Sequence, residues 1–154
     1  MKLELKNIKY FASGSQETPC YTATVYVDGK KAIYVDNNGH GGCDSHHAID
    51  PFTYKDVEEI KSYLANQSGD SFEPLDTWCH EKMYDHEEQK KLKKDMNTKF
   101  ICVNKARTEI YAYKKKGVTL ANFGKFMRKN HPNDECLNIM TFDDAWKLYD
   151  EVSV

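Results

Sequence analysis

Arginine is scarce in this chain. Of its 22 basic residues only Arg107 and Arg128 are arginine; the rest are lysine. The guanidinium fork is the better bidentate reader of phosphate, so this scarcity counts against recognition built on arginine clusters. Long apolar stretches are missing as well, none approaching the roughly 18 residues that span a bilayer. The opening Met1-Lys2-Leu3-Glu4-Leu5-Lys6 alternates charge with leucine instead of forming the apolar centre of a secretory signal. A soluble, cytoplasmic protein without a membrane partner is therefore expected. Cysteine pairs are absent too. Cys20, Cys43, Cys79, Cys102 and Cys136 are dispersed and odd in number, with no Cys-x-x-Cys spacing, which favours reduced thiols over a disulfide framework. There is no Gly-x-Ser-x-Gly elbow, no Walker-type phosphate loop and no His-Glu-x-x-His helix. The common signatures of acyl transfer, phosphoryl transfer and zinc-peptidase chemistry are thus excluded.

What is present suffices for a core: 154 residues with 40% hydrophobic and 12% aromatic content. A single α+β domain over residues 1–154 is expected, with a weak subdivision near 68–73. The net charge of −2 conceals segregation. Residues 90–130 hold 13 Lys or Arg against two acids, a net of +11, whereas residues 1–89 hold 8 Lys against 16 acids, a net of −8. The remaining residues carry one Lys against six acids, a net of −5. Such polarity can steer an encounter with a charged partner.

Periodicity supplies the elements. Leu3, Leu5, Ile8 and Tyr10 alternate with polar residues around a one-residue slip at Lys6-Asn7, the pattern of a bulged strand. Residues 20–27 place Tyr21, Ala23, Val25 and Val27 on one face. Asp28-Gly29 turns the chain into a third strand over 31–36. Thr53 and Asp56 form a capping box ahead of Val57, Ile60 and Leu64. Pro74 opens a second helix carrying Leu75, Trp78, Cys79, Met83, Leu92 and Met96, whose charged residues 87–94 are expected to project into solvent. Strands over 99–104 and 109–114, a helix with Leu120, Phe123 and Met127, a strand over 136–140 and a final capped helix complete the order βββ-α-α-ββ-α-β-α. An N-terminal antiparallel β-meander packed on helices, followed by a C-terminal ββαβα unit, is the implied architecture.

The densest feature is Asn37-Asn38-Gly39-His40-Gly41-Gly42-Cys43-Asp44-Ser45-His46-His47. Its glycines allow positive φ and close approach. His40 and Cys43, with Cys79 and His80, could instead gather around zinc. The spacing matches no standard zinc finger, so no metal and no cofactor is the first expectation, with zinc on His40, Cys43, Cys79 and His80 the alternative. In the favoured reading the loop shapes the chain and His40 is a buried hydrogen-bond partner. The loop joined to the meander before it (Leu5-Lys6-Asn7-Ile8-Lys9, residues 20–31 and Asn38-Gly39-His40-Gly41-Gly42-Cys43) and to Lys91-Leu92-Lys93-Lys94-Asp95-Met96 resembles a group of small uncharacterised proteins encoded by bacteriophages and related mobile elements. That resemblance implies a setting, the cytoplasm of an infected bacterium, and no activity.

Three functions compete. The favoured one is a non-enzymatic phage or mobile-element accessory protein that binds a host protein or protein complex, such as a component of a defence system. The alternative is nucleic-acid binding through the basic 90–129 surface, with Phe100, Tyr111 and Tyr113 as stacking platforms. The third is a metal-dependent hydrolase centred on residues 37–47. The residues that would carry binding are Gly39, His40, Gly41, Gly42 and Cys43 in the loop, with Lys90, Lys94, Arg107, Lys114, Lys115, Lys116 and Arg128 on the basic surface. No catalytic residue stands out.

Overall fold

A computed structural model describes residues 1–69 and 72–154 and has the expected α+β architecture. The chain clusters into two compact units, Met1–Glu87 and Glu88–Val154. The expected subdivision near 68–73 falls partly on residues 70 and 71, outside the described residues. Among the described residues no helix is long and apolar enough to cross a membrane.

Unit 1 is a four-stranded antiparallel sheet in the order β1 (Leu3–Tyr10), β2 (Cys20–Val27), β3 (Lys30–Asn38), β4 (Ser45–Ala48). In β1 the pairing with β2 shifts between Lys6 and Lys9, and Asn7 takes φ 54°. The bulge changes the phase of the alternation, so that Leu3 and Leu5 before it and Ile8 and Tyr10 after it pack on the same core. Tyr21, Ala23 and Val25 on β2 lie opposite Asn37, Val35 and Ile33 on β3. This inward face is covered by Val57, Ile60 and Leu64 of helix α1 (Tyr54–Ser68) and by Leu75, Cys79 and Met83 of helix α2 (Pro74–Thr98). The capping box at Thr53 and Asp56 forms as expected.

The fourth strand was not anticipated. Ser45-His46-His47-Ala48 is short and polar, carrying no apolar alternation to announce it. It forms because the glycine run folds residues 39–44 back on β3, pairing Val35 with His46 and Ile33 with Ala48. Residues opposite each other in an antiparallel pair share a face. His46 is thereby turned inward with Val35, and His47 outward with Tyr34.

In unit 2 a three-stranded antiparallel sheet has the order β6 (Ile110–Lys114), β5 (Lys99–Val103), β7 (Glu135–Cys136). β5 is central and buried on both faces. Ile101 and Val103 join Leu92 of α2, Leu137, and Ala145 and Leu148 of helix α4 (Phe142–Ser153). Phe100 and Cys102 join Phe123 and Met127 of helix α3 (Leu120–Asn130). Two expectations are corrected here. The charged stretch of α2 does not simply project into solvent, because Leu92 is buried among these residues. The expected strand over 136–140 is only the two-residue β7 followed by a 3-10 turn over Leu137–Ile139, whose Leu137 must turn into the core.

Candidate functional site

At one end of the inward face of unit 1 the apolar core gives way to buried polar groups. Tyr21 and Asn37 come from β2 and β3, Asp44 from the end of the glycine loop and His46 from β4. Asp76 and His80 come from the first turns of α2, four residues apart and so on one helix face. The Asp44 side chain is fully buried, and those of His46 and Asp76 retain only 9% of their exposure. A buried carboxylate is costly unless bonded, and the bonds are present. Tyr21 donates its hydroxyl to Asp44 Oδ2. Asn37 Nδ2 donates to Asp44 Oδ1 at 2.9 Å, and His80 Nε2 to the same oxygen at 3.0 Å. The Asp44 backbone N–H donates to Asp76 Oδ2 at 2.8 Å.

Asn37 is the clamp of the loop. Its Oδ1 accepts from Thr18 Oγ1 at 2.8 Å and from the Gly39 N–H at 2.9 Å. Its Nδ2 donates to the Gly42 carbonyl at 3.3 Å as well as to Asp44. All four hydrogen-bonding positions of the amide are used. Gly39 (φ 82°) lies so close to Gly14 that an added Cβ would meet the Gly14 carbonyl oxygen at 2.1 Å.

The charges follow from this geometry. The bond to Asp44 raises the pKa of His80 above that of an ordinary histidine, outweighing its burial. Burial alone would raise the pKa of Asp76, but the approach of His46, the Asp44 N–H and the charges of His46 and His80 bring it below the usual carboxyl value. Cys43 is exposed, and the carboxylate of Glu73, with lesser effects from burial and Asp76, pushes its thiol pKa up. Tyr21 and Cys79 are also raised, chiefly by burial.

A second feature lies in unit 2. Phe100 stacks on Phe123 with ring centroids 4.1 Å apart, and Tyr113 meets Phe123 at 5.6 Å and Phe126 at 5.3 Å. Tyr113, Lys114, Val118, Phe123 and Phe126 line a shallow depression of about 410 Å³. Phe126 is 39% exposed. Ion pairs in this unit include Lys99 with Asp95, Arg107 with Glu135 and Glu151, and His131 with Asp134. Lys114, Lys116, Lys125, Arg128 and Lys129 take part in none of these pairs.

No family model matches the chain, and no curated protein and no solved structure is found to match it.

The residues singled out in the sequence fall as follows. Gly39 is buried and structural, while Gly41 and Gly42 take positive φ on the rim of the loop. His40 is exposed; its backbone N–H bonds to Asn38 Oδ1 at 3.1 Å, so it is not the buried hydrogen-bond partner expected. His40, Cys43, Cys79 and His80 do not converge: Cys79 is in the apolar core and His80 is bound to Asp44. Of the four, His80 and Cys43 reach the polar cluster, His80 on Asp44 and Cys43 beside Glu73 and Asp76. On the basic surface, Lys90 and Lys94 lie on the last turns of α2, and Lys115 lies over the Phe100 ring at 5.4 Å. Arg107 is tied to two acids. Phe100, expected to stack on bases, is 3% exposed because β5 is the central strand. Tyr111 and Tyr113 are half-buried, their hydroxyls engaged with Asp134 and His131. Sequence reasoning did not name Asp44, His46 and Asp76 as one group or single out Phe126. Phe126 stands three residues after Phe123 and stacks beside it at 6.0 Å, so helical spacing signalled its side of α3 but not its exposure.

Proposed function

We propose that this is a non-enzymatic binding protein whose unit 2 holds single-stranded nucleic acid on the face formed by β6 and α3. The observation that carries the reading is Phe126. It is a partly exposed aromatic ring in a series that runs on to His131, with Lys114 lining the same depression and Lys125 and Lys129 near it on α3. Base stacking on an exposed aromatic is sequence-tolerant, and lysines tracking a backbone need no fixed fork geometry. The scarcity of arginine therefore argues against base-edge readout and not against this mode. Unit 2 carries 14 Lys or Arg against nine acids, which favours a polyanion. Such a role suits a small accessory protein of a phage or mobile element.

Fluorescence anisotropy with a labelled single-stranded DNA tests it. Binding that weakens steeply with salt is expected, and Phe126→Ala should lower affinity by roughly fivefold to a hundredfold. Absence of binding at low salt, or binding unchanged in Phe126→Ala with Lys114→Glu, overturns the reading. Capture of a specific bacterial protein by a chain with no nucleic-acid affinity would return the partner to a host protein.

A further inference from the structure

The buried polar end of unit 1 contains atoms whose chemistry is left open. Nε2 of His46 and Oδ1 of Asp76 stand 2.9 Å apart without the alignment of a hydrogen bond, and neither has another hydrogen-bond partner among the described residues. Both side chains are more than nine-tenths buried. An imidazole nitrogen and a carboxylate oxygen that face each other at a buried site without an aligned hydrogen bond need explanation. Asp44, His46 and Asp76 each place one ligand atom within 4.8 Å of the other two. Asp44 receives three donors, from Tyr21, Asn37 and His80, and a carboxylate can accept about four, so one position remains. Asp76 is shared with a second group: the Cys43 thiol and a Glu73 carboxylate oxygen also lie within 4.8 Å of it and of each other.

We infer that Asp44, His46 and Asp76 bind one divalent transition-metal ion of the zinc class, with Cys43 and Glu73 closing the more exposed side. Ligand atoms on a tetrahedral ion with bonds of about 2.0–2.2 Å sit roughly 3.3–3.6 Å apart, so His46 and Asp76, 2.9 Å apart here, would separate by about half an ångström to hold it. The donor set supports the inference. Imidazole, thiol and carboxylate together suit zinc, whereas magnesium and calcium take oxygen alone. The partners of Asp44 are those that orient a ligating carboxylate: a hydroxyl, an amide and an imidazole fix its plane while leaving a lone pair free. The site is independent of the nucleic-acid face, since every residue in it belongs to unit 1.

The test is zinc titration of the full chain after stripping with a chelator, read by calorimetry and by the midpoint of thermal unfolding. One equivalent of zinc should bind and raise the midpoint. His46→Ala should abolish the effect, and Cys43→Ser and Glu73→Gln should each weaken zinc binding by roughly tenfold or more. Cobalt in place of zinc should show a thiolate charge-transfer band that Cys43→Ser removes while the ligand-field bands remain. A folded chain that binds no zinc overturns the inference, as does His46→Ala with parental zinc affinity. If His46→Ala does not fold, Cys43→Ser and Glu73→Gln decide the matter, and unchanged zinc affinity in both overturns it.

Discussion

Within the glycine loop, individual residues have unequal work. Gly39 combines positive φ with a backbone neighbour where a Cβ would stand, whereas Gly42 has positive φ and open space around it. Gly39→Ala should therefore cost about 3 kcal/mol or more, and Gly42→Ala about 1 kcal/mol, the strain of a left-handed alanine alone. Urea unfolding of the two variants checks the difference. His40 is exposed, so His40→Ala should change stability by no more than about 0.5 kcal/mol in the same measurement. That outcome departs from the expectation drawn from its place among three glycines. The sequence shows that the backbone must turn there, but not which way the imidazole points.

Among the elements, α1 and α2 show how local signals and tertiary burial divide the work. Thr53 and Asp56 cap α1 with bonds of 2.6 and 2.7 Å to one carboxylate oxygen. The Thr53 hydroxyl, and then its N–H, hold the Asp56 pKa below its ordinary 3.8. A depressed carboxyl pKa stabilises the folded state fully above the unfolded value and loses that effect as pH falls through the lower folded value. The acid limb of the stability profile should therefore flatten in Thr53→Ala, which also loses about 1 kcal/mol at neutral pH. Thermal unfolding between pH 2 and 7 would reveal both effects. For α2 the charged stretch hides a single anchor. Leu92 is 2% exposed, and Leu92→Ala should cost about 3 kcal/mol by leaving a cavity in the core of unit 2. Denaturant unfolding measures it. Helical periodicity marked Leu92 as apolar, but the lysines around it masked how completely it would be covered.

For the molecule as a whole, charge is divided between the two units, with unit 1 acidic and unit 2 basic. If unit 2 binds single-stranded nucleic acid, each lysine that neutralises a phosphate contributes about 0.7 to the slope of log affinity against log salt. Lys114→Gln with Lys116→Gln should lower that slope by about 1.4. Replacing Lys30 and Lys31 in unit 1 should leave it unaltered. Salt titrations of the three proteins measure these slopes.

By itself the sequence determined the apolar faces of the longer elements. The spacing of Val57, Ile60 and Leu64, the alternation across β2 and the bulge in β1 each follow from neighbours in the chain. Only the tertiary structure decided which polar residues meet. Asp44 and Asp76 lie 32 residues apart, and β4 carries no apolar alternation, so nothing local announces that His46 faces inward beside them. It likewise decided that Phe100 is hidden and Phe126 exposed, because strand order and helix docking, not composition, set which ring a neighbour covers. Periodicity reports what a segment buries; the point where buried groups converge depends on how the segments pack.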